Sequence, residues 1–208
     1  MLDPLSRRLI DPPLNRIGAG LARRGVGANA VTAAGLALGL VSAGLIAAEA
    51  YGAALVALLA SRLADGLDGA VARATQKTDF GGYVDIAADF LFYGAVPLAF
   101  VVADPDANGI AGAVLLTSFY FNGTSFLGFA ILAERRRMST TARGEKTLYF
   151  SNGLLEGTET ILFFVVLCLF PGAFAPLAYA FAALCMVTGA LRIAAARQIF
   201  PDRKDQDA

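Results

Sequence analysis

Long uncharged stretches separated by short charged connections dominate the chain. No charged residue occurs from Ala30 to Ala48. At about 1.5 Å per residue, a helix over that stretch is long enough to cross a hydrocarbon core of about 30 Å. A second apolar segment begins at Gly52 and takes in Arg62, Asp65 and Asp68 in its last turns. A third begins near Gly81, carries Asp85 and Asp89 early, and runs uncharged from Phe90 to Ala103. The fourth covers Gly109 to Ala133, beyond the acidic Asp104-Pro105-Asp106 turn. Thr160 to Leu191 is one uncharged run too long for a single crossing, and Pro171, Gly172 and Pro176 mark its fold-back into a fifth and a sixth. The pattern therefore predicts an all-α polytopic membrane protein with six transmembrane helices. Ahead of them Pro12-Pro13 reads as a breaker, after which Leu14, Ile17 and Leu21 recur at helical spacing with Arg16, Arg23 and Arg24 on the flanks. That is the signature of an amphipathic helix lying in the membrane interface. The expected organisation is an interfacial segment over 1–28, a six-helix transmembrane catalytic domain over 29–197 and a polar tail over 198–208. Within the first span Gly35, Gly39 and Ser42 recur on one side, a small-residue spacing that lets helices approach closely.

Composition agrees: 57% of the 208 residues are hydrophobic and the mean hydropathy is +0.61. The formal net charge is zero, but its distribution is informative. All 17 Lys and Arg fall in the N-terminal leader, around the second-to-third connection, between Arg135 and Lys146, or from Arg192 onward. None falls near Glu49, Asp104 or Pro171. With six spans these sets lie on opposite sides, and the positive-inside rule places both termini and the aspartates at the cytoplasmic face of the cell (inner) membrane. A cleavable signal is not expected, because Arg7, Arg8, Asp11, Pro12 and Pro13 interrupt the first apolar residues. The chain contains no His, which excludes a Ser-His-Asp triad, an imidazole base and His-ligated metals. Cys168 and Cys185 lie in late apolar runs without CxxC spacing and read as buried filler. No nucleic-acid partner is expected.

Carboxylates in such a chain need an explanation. Asp65 and Asp68 are three residues apart and Asp85 and Asp89 four apart, so on helices each pair shares a face. A short connection from Thr75 to Phe80 brings the two faces together. An Asp at the centre of a span costs about 2.5 to 3.5 kcal/mol, and four unpaired ones also repel each other. Salt bridges to Arg62 and Arg73 would offset part of the charge, but two arginines cannot satisfy four acids. An all-oxygen set without His or thiolate suits hard divalent ions, Mg²⁺ or Mn²⁺, and four carboxylates can hold two of them. Gly66, Gly69, Ala70 and Ala72 surround the first pair and leave room for a bulky group. An alternative of a different class is a cation transporter that uses the acids as its ion path.

The run Asp65-x-x-Asp68-Gly69-x-x-Ala72-Arg73, followed by Gly81-x-x-x-Asp85-x-x-x-Asp89, resembles the signature of the CDP-alcohol phosphotransferase (CDP-alcohol phosphatidyltransferase) family of membrane enzymes of phospholipid synthesis. Asn29-Ala-Val-Thr32 is similar to that family's element at the start of its first span. The connection between Arg73 and Gly81 is a residue or two shorter than is usual there. The resemblance implies that Asp65, Asp68, Asp85 and Asp89 bind a dinuclear metal centre, with Asp89 also the general base. It implies that Asn29, Thr32, Gly69, Arg73 and Thr78 contact the CDP part of a CDP-linked lipid donor such as CDP-diacylglycerol. The expected reaction transfers the phosphatidyl group to the hydroxyl of a small alcohol and releases CMP, in a homodimer surrounded by membrane lipid. Arg143, Lys146 and Arg192 are candidates for an acceptor phosphate, as in glycerol 3-phosphate or inositol phosphate, or serve as inside-positive anchors. Glu156 and Glu159 would instead meet polyol hydroxyls, an amine, or Arg143 or Arg192. Asn122 and Thr124 read as interhelical hydrogen-bonding residues.

Overall fold

A computed structural model describes residues 3–136, 155 and 157–200, and among these every regular element is helical. Helix α1 spans Asp3–Arg23, α2 Ala28–Ala47, α3 Tyr51–Ala74, α4 Asp79–Ala103, α5 Pro105–Arg135, α6 Gly157–Leu169 and α7 Phe174–Ile199. A 3-10 turn at Pro171–Ala173 joins the last two, which is the predicted fold-back; Pro176 falls in the first turn of α7. The helices α2, α4 and α5 and the stretch Pro171–Ile199 are long and apolar enough to cross a membrane. Helix α3 carries Arg62, Asp65, Asp68 and Arg73 and is correspondingly less apolar. The described part of α6 is 13 residues, about 20 Å of helix.

Pro12-Pro13 does not break the chain, contrary to the sequence expectation: α1 passes through both. Two prolines withdraw only two backbone donors, while the turns that follow are held by packing on α3. Leu14 is buried with its Cδ1 against Gly66, and Gly18 faces Ala70 so closely that a Cβ there would lie 2.7 Å from the Ala70 Cβ. The helix ends in a Schellman turn: Val26 N–H donates to the Leu21 carbonyl, Gly25 N–H to Ala22, and Gly25 takes φ 79°. The same device closes α2, where Ala50 N–H donates to Leu45, but there Glu49 occupies the left-handed position at φ 59°. Helix α5 begins four residues earlier than expected, because Asp104 is a cap whose carboxylate accepts from Ala107 N–H and Pro105 supplies the first helical position.

Helix α2 is the hub of the N-terminal half and packs on both α3 and α4; α5 pairs with α7, and α6 lies on α3. The predicted small-residue face makes these contacts. Gly35 sits against Ala64, Gly39 against Phe92 and Ser61, and the Ser42 hydroxyl donates to the Ala54 carbonyl at 2.8 Å. By contrast α3 and α4, which carry the aspartates, share no extended interface with each other. The core is gathered away from the acids, in the C-terminal halves of α2 and α4 and the N-terminal halves of α3 and α5, where α6 and α7 join them. It is built from Phe92, Phe100, Phe164 and Phe174, all essentially solvent-free, with Phe163 and Phe181 stacked at 4.0 Å. Cys168 and Cys185 are free thiols inside this region, as expected. Large apolar side chains such as Val56, Leu98, Val102 and Ile110 point outward, the inversion that a lipid surrounding requires.

Candidate active site

The acids meet where α3 and α4 approach each other over the start of α2. Thr75 ends α3, its amide and hydroxyl both donating to the Val71 carbonyl, and Thr78 caps α4 by accepting from Gly81 N–H at 3.1 Å. The connection between these caps is so short that the aspartates of the two helices come to one level. One carboxylate oxygen from each of Asp65, Asp68 and Asp85 lies within 4.8 Å of the other two. Asp68 is buried, 6% exposed, and its Oδ2 has no hydrogen-bond partner. Thr32 and the Gly69 backbone stand beside the same carboxylate. A buried carboxylate with an orphaned oxygen, close to two more carboxylates, is unfavourable unless a cation joins them. The oxygen-only donor set fits a hard divalent ion.

Asp89 lies beside this trio, linked to Asp65 through Arg62. Its Oδ1 accepts from Arg62 Nη1 at 2.8 Å, and the same nitrogen lies 3.5 Å from Asp65 Oδ1. Of the two arginines weighed as partners of the acids, Arg62 therefore takes that role. Arg73 turns the other way, donating from Nε and Nη2 to Asn15 Oδ1 at 3.1 and 2.8 Å. Asn15 is the contributor that the sequence did not single out, whereas Arg62, one turn before Asp65, was already weighed there as a partner of the acids.

The residues matched to donor contacts cluster at the same end. A Cβ on Gly81 would lie 2.9 Å from Thr78 Oγ1 and 3.0 Å from Asn29 Oδ1, so the starts of α2 and α4 touch there. Thr32 follows one turn along α2, with its hydroxyl donating to the Ala28 carbonyl. Gly69 borders Arg73, whose Nη1 would be 3.4 Å from a Cβ at that position. The room expected around the first acid pair is partly taken, because Gly66 and Ala70 receive α1; Gly69 has Arg73 as its near neighbour instead.

On the expected acceptor side, Arg143, Lys146 and Glu156 lie outside the described residues. Arg192, 5% exposed, donates from Nη1 to the Asn122 carbonyl, Asn122 Oδ1 and Ser125 Oγ at 3.1, 2.9 and 2.8 Å. Asn122 is thus interhelical as expected, whereas Thr124 donates within its own helix to Tyr120. Glu159 is in the first turn of α6, next to Gly157, whose Cβ position is 3.5 Å from the hydroxyl of Tyr93. Tyr93 is one turn beyond Asp89, so the start of α6 borders the acid cluster.

Comparison with known proteins gives concordant results. Residues 26–194 match the sequence profile of the family described as CDP-alcohol phosphatidyltransferase. The chain is 44% identical over 193 residues to the inner membrane protein YnjF of Escherichia coli K12, covering 93% of this chain and 94% of that one. Its fold is similar to the crystal structure of Mycobacterium tuberculosis phosphatidylinositol phosphate synthase (PgsA1) with CDP-DAG bound. The TM-score is 0.69 at 22% identity, over 88% of this chain and 93% of that one.

Proposed function

The chain belongs to the CDP-alcohol phosphatidyltransferase family, and from that premise we propose that it transfers the phosphatidyl group of a CDP-linked lipid, such as CDP-diacylglycerol, to the hydroxyl of a small alcohol, releasing CMP. The observation that carries this reading is the convergence of Asp65, Asp68 and Asp85, of which Asp68 is buried and has an oxygen without a hydrogen-bond partner. That the mycobacterial synthase of the same fold holds CDP-DAG supports the choice of donor. Asp65, Asp68 and Asp85, with Asp89 beside them, would hold one or two Mg²⁺ or Mn²⁺ ions, which when bound neutralise charge on a diphosphate. Asn29, Thr32, Gly69, Arg73 and Thr78 would receive the CDP moiety. Asp89 takes the proton of the acceptor hydroxyl. The freed oxygen then attacks the phosphorus that bears the lipid, and the bond to CMP breaks.

The remaining parts follow the same reading. Six crossings, formed by α2 to α7, put both termini and the acids on the cytoplasmic side of the inner membrane, with α1 on its surface. The name of the 44% identical relative supports that location. The acceptor is a small polyol or its phosphate, glycerol 3-phosphate or inositol phosphate among them, approached by Arg143, Lys146 and Arg192. The enzyme acts as a homodimer. The purified protein in CDP-diacylglycerol vesicles with Mg²⁺ or Mn²⁺ and a panel of these alcohols should release CMP with at least one of them, and EDTA should abolish the release. Absence of CMP across the panel, together with cation flux through vesicles carrying the protein, would replace the enzyme by a transporter.

A further inference from the structure

Arg62 is more tightly fixed than neutralisation of nearby acids requires. Its side chain is 10% exposed. Nη1 donates to Asp89 Oδ1 at 2.8 Å, Nη2 donates to Ser61 Oγ at 3.2 Å, and the guanidinium carbon lies 3.9 Å from the centre of the Phe92 ring. Each supporting group is held in turn by α2. The Ser61 hydroxyl donates to the Gly35 carbonyl at 2.7 Å, and the solvent-free ring of Phe92 lies where a Cβ on Gly39 would be, 2.6 Å from its Cδ2. The arginine thus stands on a platform built from the glycine face of α2 and reaches from α3 across to α4. It does so between two helices that share no extended interface of their own.

We infer that Arg62 is a positioning residue: its planar, forked guanidinium, clamped by Phe92 and Ser61, fixes the Asp89 carboxylate and the distance between the two acid-bearing helices. The inference rests on the assignment of Asp89 as the proton acceptor. With Oδ1 engaged by Arg62, the second oxygen of Asp89 is the one left to meet an acceptor hydroxyl, in an orientation set from α3. A point charge would offset the acids equally well, but only a planar fork can stack on Phe92 while donating in two directions. Lysine and arginine therefore differ here in rate, not in charge.

The test compares Arg62→Lys, Arg62→Gln and Phe92→Leu with the unaltered protein and Asp89→Asn. Two quantities are measured for each: kcat and KM for CMP release from CDP-diacylglycerol, and calorimetric affinity for CDP in the presence of Mn²⁺. Misplacement of a reacting group by about 1 Å costs on the order of 100-fold. Arg62→Lys and Arg62→Gln should accordingly lose about 100-fold in kcat, and Phe92→Leu about tenfold in the same sense. Donor KM and CDP affinity should stay within about twofold. Should Arg62→Gln fail to fold, Arg62→Lys and Phe92→Leu decide the matter. A kcat for Arg62→Lys equal to that of the unaltered protein, or CDP affinity falling in step with kcat, overturns the inference. If Asp89→Asn is inactive while Arg62→Lys and Phe92→Leu behave as wild type, the positioning role fails alone. If Asp89→Asn turns over normally, the assigned base fails and the inference fails with it.

Discussion

At the scale of single residues, the four aspartates have unequal surroundings that spacing in the sequence does not separate. Asp65, Asp68 and Asp85 face one another, whereas Asp89 takes the hydrogen bond of Arg62, with Asp65 farther from the same nitrogen. Asp68 is the most enclosed of the trio and the one with a bare oxygen. Asp68→Asn keeps the size but replaces half of the carboxylate by a donor. Affinity for Mn²⁺, followed by the loss of free-ion signal in electron paramagnetic resonance, should fall by at least about tenfold. Unchanged affinity in that variant would remove the trio from metal binding. The aspartates and their pairing by helix were legible because three- and four-residue spacings map directly onto a helix face. Their division was not, since it depends on a rotamer of Arg62 set by Phe92, 30 positions away in the chain.

Elements show a similar split between what local pattern dictates and what packing decides. The uncharged runs placed α2, α4, α5 and the Pro171 fold-back, and Gly35, Gly39 and Ser42 correctly marked the face on which α2 receives its neighbours. Pro12-Pro13 was misread because a breaker rule weighs only local terms, the lost donors and the ring clash with the preceding turn, while the burial of Leu14 against Gly66 is a tertiary contact. Asp104-Pro105 was read as a turn when it is a cap plus a first helical residue, so α5 starts early. The glycine face itself is open to measurement. Gly39→Val would drive a side chain into Phe92 and Ser61, and overpacking of that kind costs about 1–3 kcal/mol. Gly44, on the same helix, has nothing within 4 Å of its Cβ position, so Gly44→Ala should be neutral or stabilise by up to about 1 kcal/mol through helix propensity. Thermal unfolding in detergent should show a lowered midpoint for Gly39→Val and an unchanged or raised one for Gly44→Ala, and equal midpoints would mean that the close approach at Gly39 carries no packing role.

At the scale of the whole molecule the proposed topology puts the basic residues and the aspartate cluster at one pole. On that topology a cysteine introduced at 77 should react with an impermeant thiol reagent only from the cytoplasmic side, and one at 106 only from the opposite side. The native Cys168 and Cys185 are buried and interfere little with such labelling. The reverse pattern would overturn the orientation argued from charge. Polarity also extends to cohesion. Interlocked rings bind one pole, while at the other the acid-bearing helices are held together by their short connection and by Arg62. Opening free energies in such a body rise from the charged end toward the rings. Hydrogen exchange should therefore be faster around the 75–78 connection than among the rings, so the acid pole can open without the ring cluster having to melt.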